Sequence, residues 1–408
     1  MTASASKPLL WFTLVLILIL ALSAMVALTE YTLRTLHPGK ALMFDSDPVT
    51  IARFKKNLDR TSYGSKSVHV TTNSFSFRDS ENFDPAKADI IIFGDSNIAS
   101  LSLEFKDTIG EQLEEALGNH YVAANLGVPG YGPDQSLRKY LAIADQSKAK
   151  AIVFHIFADN DLGDLFRNNI YYMSDSGILE RRSPLDNDPL FQVNQLLLTR
   201  GINKLMVTAG LPFTLLDVVS DTDYYSPYHQ GLNVPILSDD DNAIEDWARI
   251  SITEFEQYKK GRYTSWTADH YDYGIAGFPA GDMATAAREL LAGIIRQALS
   301  AFPGPSECML VLIEPSENDI SEQGASVTHN SLVEHFPEYN PRTLTDISTQ
   351  AAEAAGASYI NLFDAFSRDP GRYYFSHEEK PGDNHWNARG IAMATQLVAE
   401  HFSRHRCL

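Results

Sequence analysis

The 408-residue chain has only two cysteines, Cys308 and Cys407, which excludes a disulfide-rich scaffold and a four-cysteine zinc site. Basic charge is also scarce. Thirty-three Lys and Arg stand against 52 Asp and Glu, a net charge of −19. Such a balance repels phosphate backbones and argues against nucleic acid as a partner. The chain has no internal repeat and no low-complexity tract, so solenoids and disordered linkers drop out. The run Asp239-Asp240-Asp241 lacks the alternating spacing and glycine of a calcium loop and reads as a solvated loop. His377, next to Glu378 and Glu379, has nothing nearby in sequence to complete a metal site. No metal and no cofactor are expected. What is abundant is apolar: 44% of residues are hydrophobic and 11% aromatic, ample for a packed core.

One long apolar run stands at the N-terminus. Pro8 to Leu28 carries no charge, and only Thr13 and Ser23 are polar. As a helix it spans roughly 30 Å, a bilayer core. A cleaved signal peptide is the alternative, but its apolar region is normally about 7–15 residues and ends in an Ala-x-Ala-like site. Here Leu22 and Met25 stand two residues before Ala24 and Ala27. Residues 1–30 are therefore expected to be an uncleaved signal-anchor. Lys7 precedes the run while Arg34 and Lys40 follow it, so flanking charge does not decide orientation.

Residues 31–87 form a polar lead-in without clear periodicity. Strands and helices then alternate. Ala88–Phe93, Ala151–Phe157, Met309–Ile313 and Ser358–Leu362 read as strands, with a further short one in VAANLG. Helices are expected over Thr108–Leu117, Pro133–Ala144 and Arg389–Phe402. This rhythm predicts a parallel sheet covered on both faces, an α/β architecture in three layers. It breaks down at about 165–285, an aromatic-rich insertion with Tyr171, Tyr172, Tyr224, Trp247 and Trp266 among its rings. Packing is the default role for these rings; stacking on sugars is the other.

Four polar elements sit at successive strand ends. IIIFGDSN places Ser96 where a strand runs into a turn, the carboxyl edge at which open α/β sheets build their sites. Alone, Gly-Asp-Ser equally suits a helix cap. It is followed by Asn125-Leu126-Gly127-Val128-Pro129-Gly130, by Asn160-Asp161, and finally by Asp383-Asn384-His385-Trp386-Asn387. This arrangement resembles the SGNH/GDSL hydrolase family over about residues 70–165 and 305–402, including the lead-in around Asn73–Arg78. The insertion lies outside the resemblance.

The resemblance implies a flavodoxin-like three-layer fold over residues 88–402 and an esterase, with no cofactor. Residue by residue, it implies Ser96 as nucleophile, His385 as general base and Asp383 as the group that orients the imidazole. The backbone N–H groups of Ser96 and Gly130 and the Asn160 side chain would form the oxyanion hole. Gly127 is a second candidate for the glycine, but Gly130 matches the usual offset from Asn125 better.

Two departures stand out. Gly382 occupies the place three before the histidine where the family commonly has Asp, and Ala158 replaces the usual glycine of the asparagine block. The Asp-x-His-Trp spacing is similar to that of SGNH-like proteins of polysaccharide O-acetylation, such as those acting on alginate. The implied substrate is an acyl ester or acylated glycan, met by hydrolysis or by acyl transfer. A binding or assembly protein of the same fold would be expected to lack a triad member. The implied location is membrane-anchored, with the body outside the cytoplasm. Protein partners are not legible.

The remaining residues have plainer readings. His155 lies within a strand as a packed or surface residue, and Asp95 and Asp161 hold loops through backbone hydrogen bonds. Cys308 and Cys407 leave two readings open: a bridge tying down the C-terminal helix, or a buried thiol with a frayed tail cysteine.

Overall fold

The computed structural model describes residues 7–36, 43–47, 49–63, 67–79, 87–168, 170–181, 272, 275–276, 279–320, 340–375 and 385–408. Most of the insertion, including Asp239–Asp241 and all the aromatics named above except Tyr171 and Tyr172, lies outside them. His377 and Asp383 do as well.

The first helix, α1 (Lys7–Leu36), runs eight residues beyond the expected apolar span. Its segment Trp11–Thr32 has a mean hydropathy of 2.7, enough by length and composition to cross a membrane. Side chains from Trp11 to Leu28 are all exposed. A helix that is apolar all round and uncovered by protein needs lipid or another chain around it. The extra turns past Leu28 carry Glu30 and Arg34, which is why an apolar-run criterion stopped short.

The lead-in is more ordered than its sequence suggests. It forms two antiparallel hairpins, β1 (Phe44–Asp47) with β2 (Ile51–Phe54), and β3 (Asp59–Tyr63) with β4 (Ser67–Thr71). Strands of four and five residues carry too few alternations to register as a period. The first hairpin is held at one end by Phe44 stacked on Phe54, ring centroids 5.0 Å apart. At the other, Asp47 accepts from the Val49 and Thr50 amides and pairs with Arg53.

The body is a five-stranded parallel sheet. Its strands are β5 (Ile90–Phe93), β6 (Ala123–Asn125), β7 (Ala151–Ala158), β10 (Met309–Pro315) and β11 (Ser358–Asn361), in spatial order β11-β10-β7-β5-β6. Every residue of β5, β7 and β10 is buried, as expected of strands covered on both faces. β8 (Tyr171–Met173) and β9 (Leu179–Arg181) form a small hairpin at the start of the insertion.

The chain starts in β5, steps outward to β6, then crosses back to β7 and continues to β11. Right-handed crossovers of opposite direction put their helices on opposite faces. Accordingly α3 (Ile109–Ala116) packs with the last helix, α8 (Ala388–His405), on one side. On the other, α6 (Asp282–Ala301) packs against α4 (Pro133–Ala144), α7 (Thr343–Ala355) and the short α5 (Asp161–Asn168). This is the doubly wound, flavodoxin-like order. Its switch point falls between the carboxyl ends of β5 and β7.

Of the two cysteine readings, the structure takes the bridge. Cys308 and Cys407 are disulfide-bonded, with Cα atoms 5.4 Å apart, fastening the end of α8 to the start of β10. The 99-residue separation makes the constraint on the unfolded chain large, about 4–5 kcal/mol in a chain-entropy picture. Replacing both cysteines by alanine should lower the urea midpoint of unfolding by an amount corresponding to about 2–5 kcal/mol, checked by circular dichroism on the oxidised and doubly substituted proteins.

Candidate active site

Ser96 opens a one-turn helix, α2 (Ser96–Ala99), directly after β5. The chain turns there because Gly94 has no side chain. A Cβ on Gly94 would lie 2.8 Å from Ile98 Cγ1 and 2.9 Å from His155 Cβ. Asp95 is the cap: its Oδ1 accepts from the Asn97 amide at 2.9 Å. Ser96 itself is half-buried, its hydroxyl at the switch point.

His385 comes from the opposite end of the chain, and its Nε2 lies 2.7 Å from Ser96 Oγ. The neighbouring tryptophan makes the placement. Trp386 N–H donates to Asn97 Oδ1 at 3.2 Å, and its indole Nε1–H donates to the Asn97 carbonyl at 3.0 Å. Asn387 then caps α8 by accepting from the Arg389 and Gly390 amides, while its amide nitrogen donates to the Arg372 and Tyr374 carbonyls. Thus His385, Trp386 and Asn387 supply, in three consecutive residues, an imidazole beside Ser96, a clamp and a helix cap. Sequence reasoning took only the first of these. An Asn before an Ala-Arg-Gly-Ile-Ala helical run was a legible cap signal.

The second block closes over α2. Asn125 Nδ2 donates to the Ile98 carbonyl at 2.9 Å, and Asn125 Oδ1 accepts from the Gly127 amide at 3.0 Å. Gly127 must be glycine for packing, since a Cβ there would stand 2.5 Å from the Ala99 nitrogen. Gly130 differs: it is exposed, has φ of +77°, and has open space where a Cβ would be. Its φ favours glycine, and the open space leaves room beside its backbone.

The loop that carries Gly130 is fastened by the first hairpin. Tyr131 donates its hydroxyl to Thr50 Oγ1 at 2.8 Å, and Gln135 Nε2 donates to the Thr50 carbonyl at 2.6 Å. Buried Phe54, Ala99, Val128 and Tyr131 form a small apolar cluster behind it. Asn160 follows β7, half-buried; its Oδ1 is buried and accepts no hydrogen bond among the described residues. Asp161 accepts from the Phe157 amide at 2.7 Å, holding that turn. Burial, with Asp95 and Asp164 nearby, pushes the Asp161 carboxyl well above the usual range.

Two buried groups at this edge were not assigned from sequence. His155 is fully buried rather than at a surface. Its Nε2 is 2.9 Å from Glu314 Oε2 and its Nδ1 3.4 Å from Asp95 Oδ1. Arg78, in the lead-in, is buried and donates to the carbonyls of Ala99, Ser100 and Leu103, wiring down the segment just past α2. Burial lowers its pKa to about 10, so it stays cationic at neutral pH. A buried Arg is rare enough in sequence terms that only the family-like lead-in pointed to it.

No family model matches the chain, and no curated protein matches it. Among solved structures, the chain is similar to a carbohydrate acetylesterase family member from Sinorhizobium meliloti. The identity is 11% and the TM-score 0.29, covering 78% of this chain and 96% of that one.

Arg78→Met should cost about 3–5 kcal/mol, because three carbonyls lose a shared cationic donor in a buried place. Arg78→Lys should recover part of that loss. Urea unfolding of both variants checks the order.

Proposed function

We propose that the chain is a membrane-anchored serine esterase of SGNH type, acting outside the cytoplasm on an acyl ester, in particular an O-acetyl group on a cell-envelope glycan. The observation that carries this reading is the 2.7 Å contact between Ser96 Oγ and His385 Nε2 at the switch point of the sheet. A serine hydroxyl is a weak nucleophile until an adjacent base takes its proton, and the distance is that of a nucleophile–base pair. Three motif blocks at the ends of β5, β6 and β7, with the fourth not at a strand end as expected but directly before α8, support the same assignment. The reading divides the chain into an anchor (1–30), a lead-in (31–87) and a catalytic domain (88–402).

In this reading Ser96 Oγ attacks the acyl carbonyl carbon while its proton passes to His385 Nε2. The resulting oxyanion is met by the N–H groups of Ser96 and Gly130 and by the Asn160 amide. The carbonyl–alkoxy bond then breaks, His385 protonates the departing alcohol, and the acyl group stays on Ser96. Water, deprotonated by His385, attacks the acyl-serine, and the proton returns to Ser96. Asp383 orients the imidazole. A sugar hydroxyl in place of water would give acyl transfer, and the Asp-x-His-Trp spacing keeps that variant in view. The disulfide supports the extracytoplasmic placement, since such bonds persist in oxidising compartments.

Reaction with an organophosphorus serine reagent, followed by peptide mapping, should place the adduct on Ser96, and Ser96→Ala should abolish acyl-enzyme formation on p-nitrophenyl acetate. An adduct on another serine, or full activity in Ser96→Ala, would sink the reading. Adding a glycan acceptor separates transfer from hydrolysis. Asn160→Ala should lower kcat by about 10²–10³ with an unchanged unfolding midpoint, as for loss of one oxyanion donor.

Separately, the mature protein should keep Met1–Lys7 and stay with membranes through a high-salt wash. An N-terminus after Ala24 or Ala27 would overturn the anchor.

A further inference from the structure

Beneath Ser96 lies a charged chain that the esterase reaction does not use. Asp95, His155 and Glu314 are 1%, 0% and 0% exposed. His155 Nε2 is hydrogen-bonded to Glu314 Oε2 at 2.9 Å, while its buried Nδ1 lies at ion-pair distance, 3.4 Å, from Asp95 Oδ1 without hydrogen-bond geometry. With two buried carboxylates at ion-pair distance on opposite sides, the ring is favoured as the imidazolium, whose charge both can share. Asp95 Oδ2 in turn lies 3.3 Å from Ser96 Oγ, where it accepts from the hydroxyl. The register of β7 and β10 builds this arrangement: His155 pairs with Leu312, so Glu314, two residues on, emerges on the same face. The Trp386 ring closes the other side, its centroid 5.2 Å from that of His155.

Resting on the esterase reading, we propose that His155 is a positioning residue for Ser96: pinned as an imidazolium between Glu314 and Asp95, it fixes and neutralises the Asp95 carboxylate, so that the single hydroxyl proton of Ser96 is directed to His385. Two acceptors compete for that proton, Asp95 Oδ2 at 3.3 Å and His385 Nε2 at 2.7 Å. A cation beside Asp95 weakens the first acceptor without touching the second. Without it, Asp95 becomes an isolated buried carboxylate next to the nucleophile, a stronger competitor for the proton.

The protonation energetics agree. Burial pulls the His155 pKa down, but the two carboxylates more than reverse this, leaving it raised to about 9. Burial raises Glu314 to about 7, with His155 opposing. Burial pushes Asp95 up, but His155, His385 and the Asn97 amide outweigh it, so Asp95 stays below its ordinary value. The other groups facing the chain are His385, which acts on Glu314 as well as on Asp95, Asp161, on which the charge of Asp95 acts, and Tyr374, which senses Glu314 and whose hydroxyl donates to the Pro315 carbonyl. Asp161 and Tyr374 are pushed upward by burial first, which favours their neutral forms near neutral pH.

The test uses the full chain in detergent, following p-nitrophenyl acetate hydrolysis and organophosphorus labelling from about pH 6 to 10. Glu314→Gln keeps an acceptor for His155 but removes the charge that forms as pH rises through about 7. His155 then gives up its proton earlier, so the alkaline fall in kcat should move from about pH 9 to lower pH by about one unit or more. The deficit should grow from a few-fold at about pH 6 to about ten-fold at about pH 8.5, with KM unchanged. A deficit equal at every pH is a structural defect and overturns the proposal.

A second measurement needs no variant beyond an assignment control. Imidazole nitrogen shifts of ¹⁵N-histidine-labelled protein, assigned by His155→Gln, should show both His155 nitrogens protonated at about pH 7.5. A neutral ring there overturns the proposal. Failure of the wild-type protein to label at Ser96 would instead overturn the esterase reading itself.

Discussion

The two hydrogen bonds from Trp386 to Asn97 join segments 289 residues apart, and the geometry of the candidate site depends on them. Ser96 is placed by local means: a strand end, a glycine and an aspartate cap. His385 is framed by a short antiparallel bridge of Tyr374 with Trp386, in which the Phe375 amide donates to the His385 carbonyl at 3.2 Å, and by the Trp386–Asn97 clamp. It reaches Ser96 because the residue after it is bonded, through backbone and indole, to the residue after the serine. Two bonds at two points on Asn97 fix both the position and the angle of approach. Each is an ordinary hydrogen bond, worth about 1 kcal/mol net, but together they tie the bridge that carries His385 to the turn that carries Ser96.

Around this clamp the remaining supports converge on the same short helix from different parts of the chain. Arg78 holds the end of α2 and the segment beyond it, Asn125 holds its middle, and Asp95 caps its start. The first hairpin reaches the neighbouring Gly130 loop through Thr50. A segment that looks like a spacer between anchor and body is therefore part of the wall of the site. It works through hydrogen bonds and through a few buried apolar side chains, Phe54 against Val128 and Tyr131 and Phe77 in the main core.

How much of this was legible in the sequence depends on where each signal lives. The central strands were readable because burial on both faces makes them almost continuously apolar, as IIIF is and as AIVFHIF is but for His155. The hairpins of the lead-in were not, because four-residue strands carry almost no period. Ser96 and His385 were found through their motif blocks, while the pairing of His155 with Glu314 was hidden. It exists only in the register between β7 and β10, which no single strand encodes. Trp386 looked like an aromatic of the motif, and its partner Asn97 like a residue of the turn. Long-range hydrogen bonds of this kind leave no mark in composition.

The disulfide has a further consequence when the chain is cut. Cys308 and Cys407 bracket the segment that contains His385, Trp386 and α8. Cleavage by a protease at any one peptide bond between them therefore leaves both pieces covalently joined. The clamp on Asn97 then re-forms by a tethered, effectively intramolecular step rather than by diffusion of a lost fragment. In a compartment where proteases are common, a nicked molecule keeps all its parts within reach of one another as long as the bridge stays oxidised.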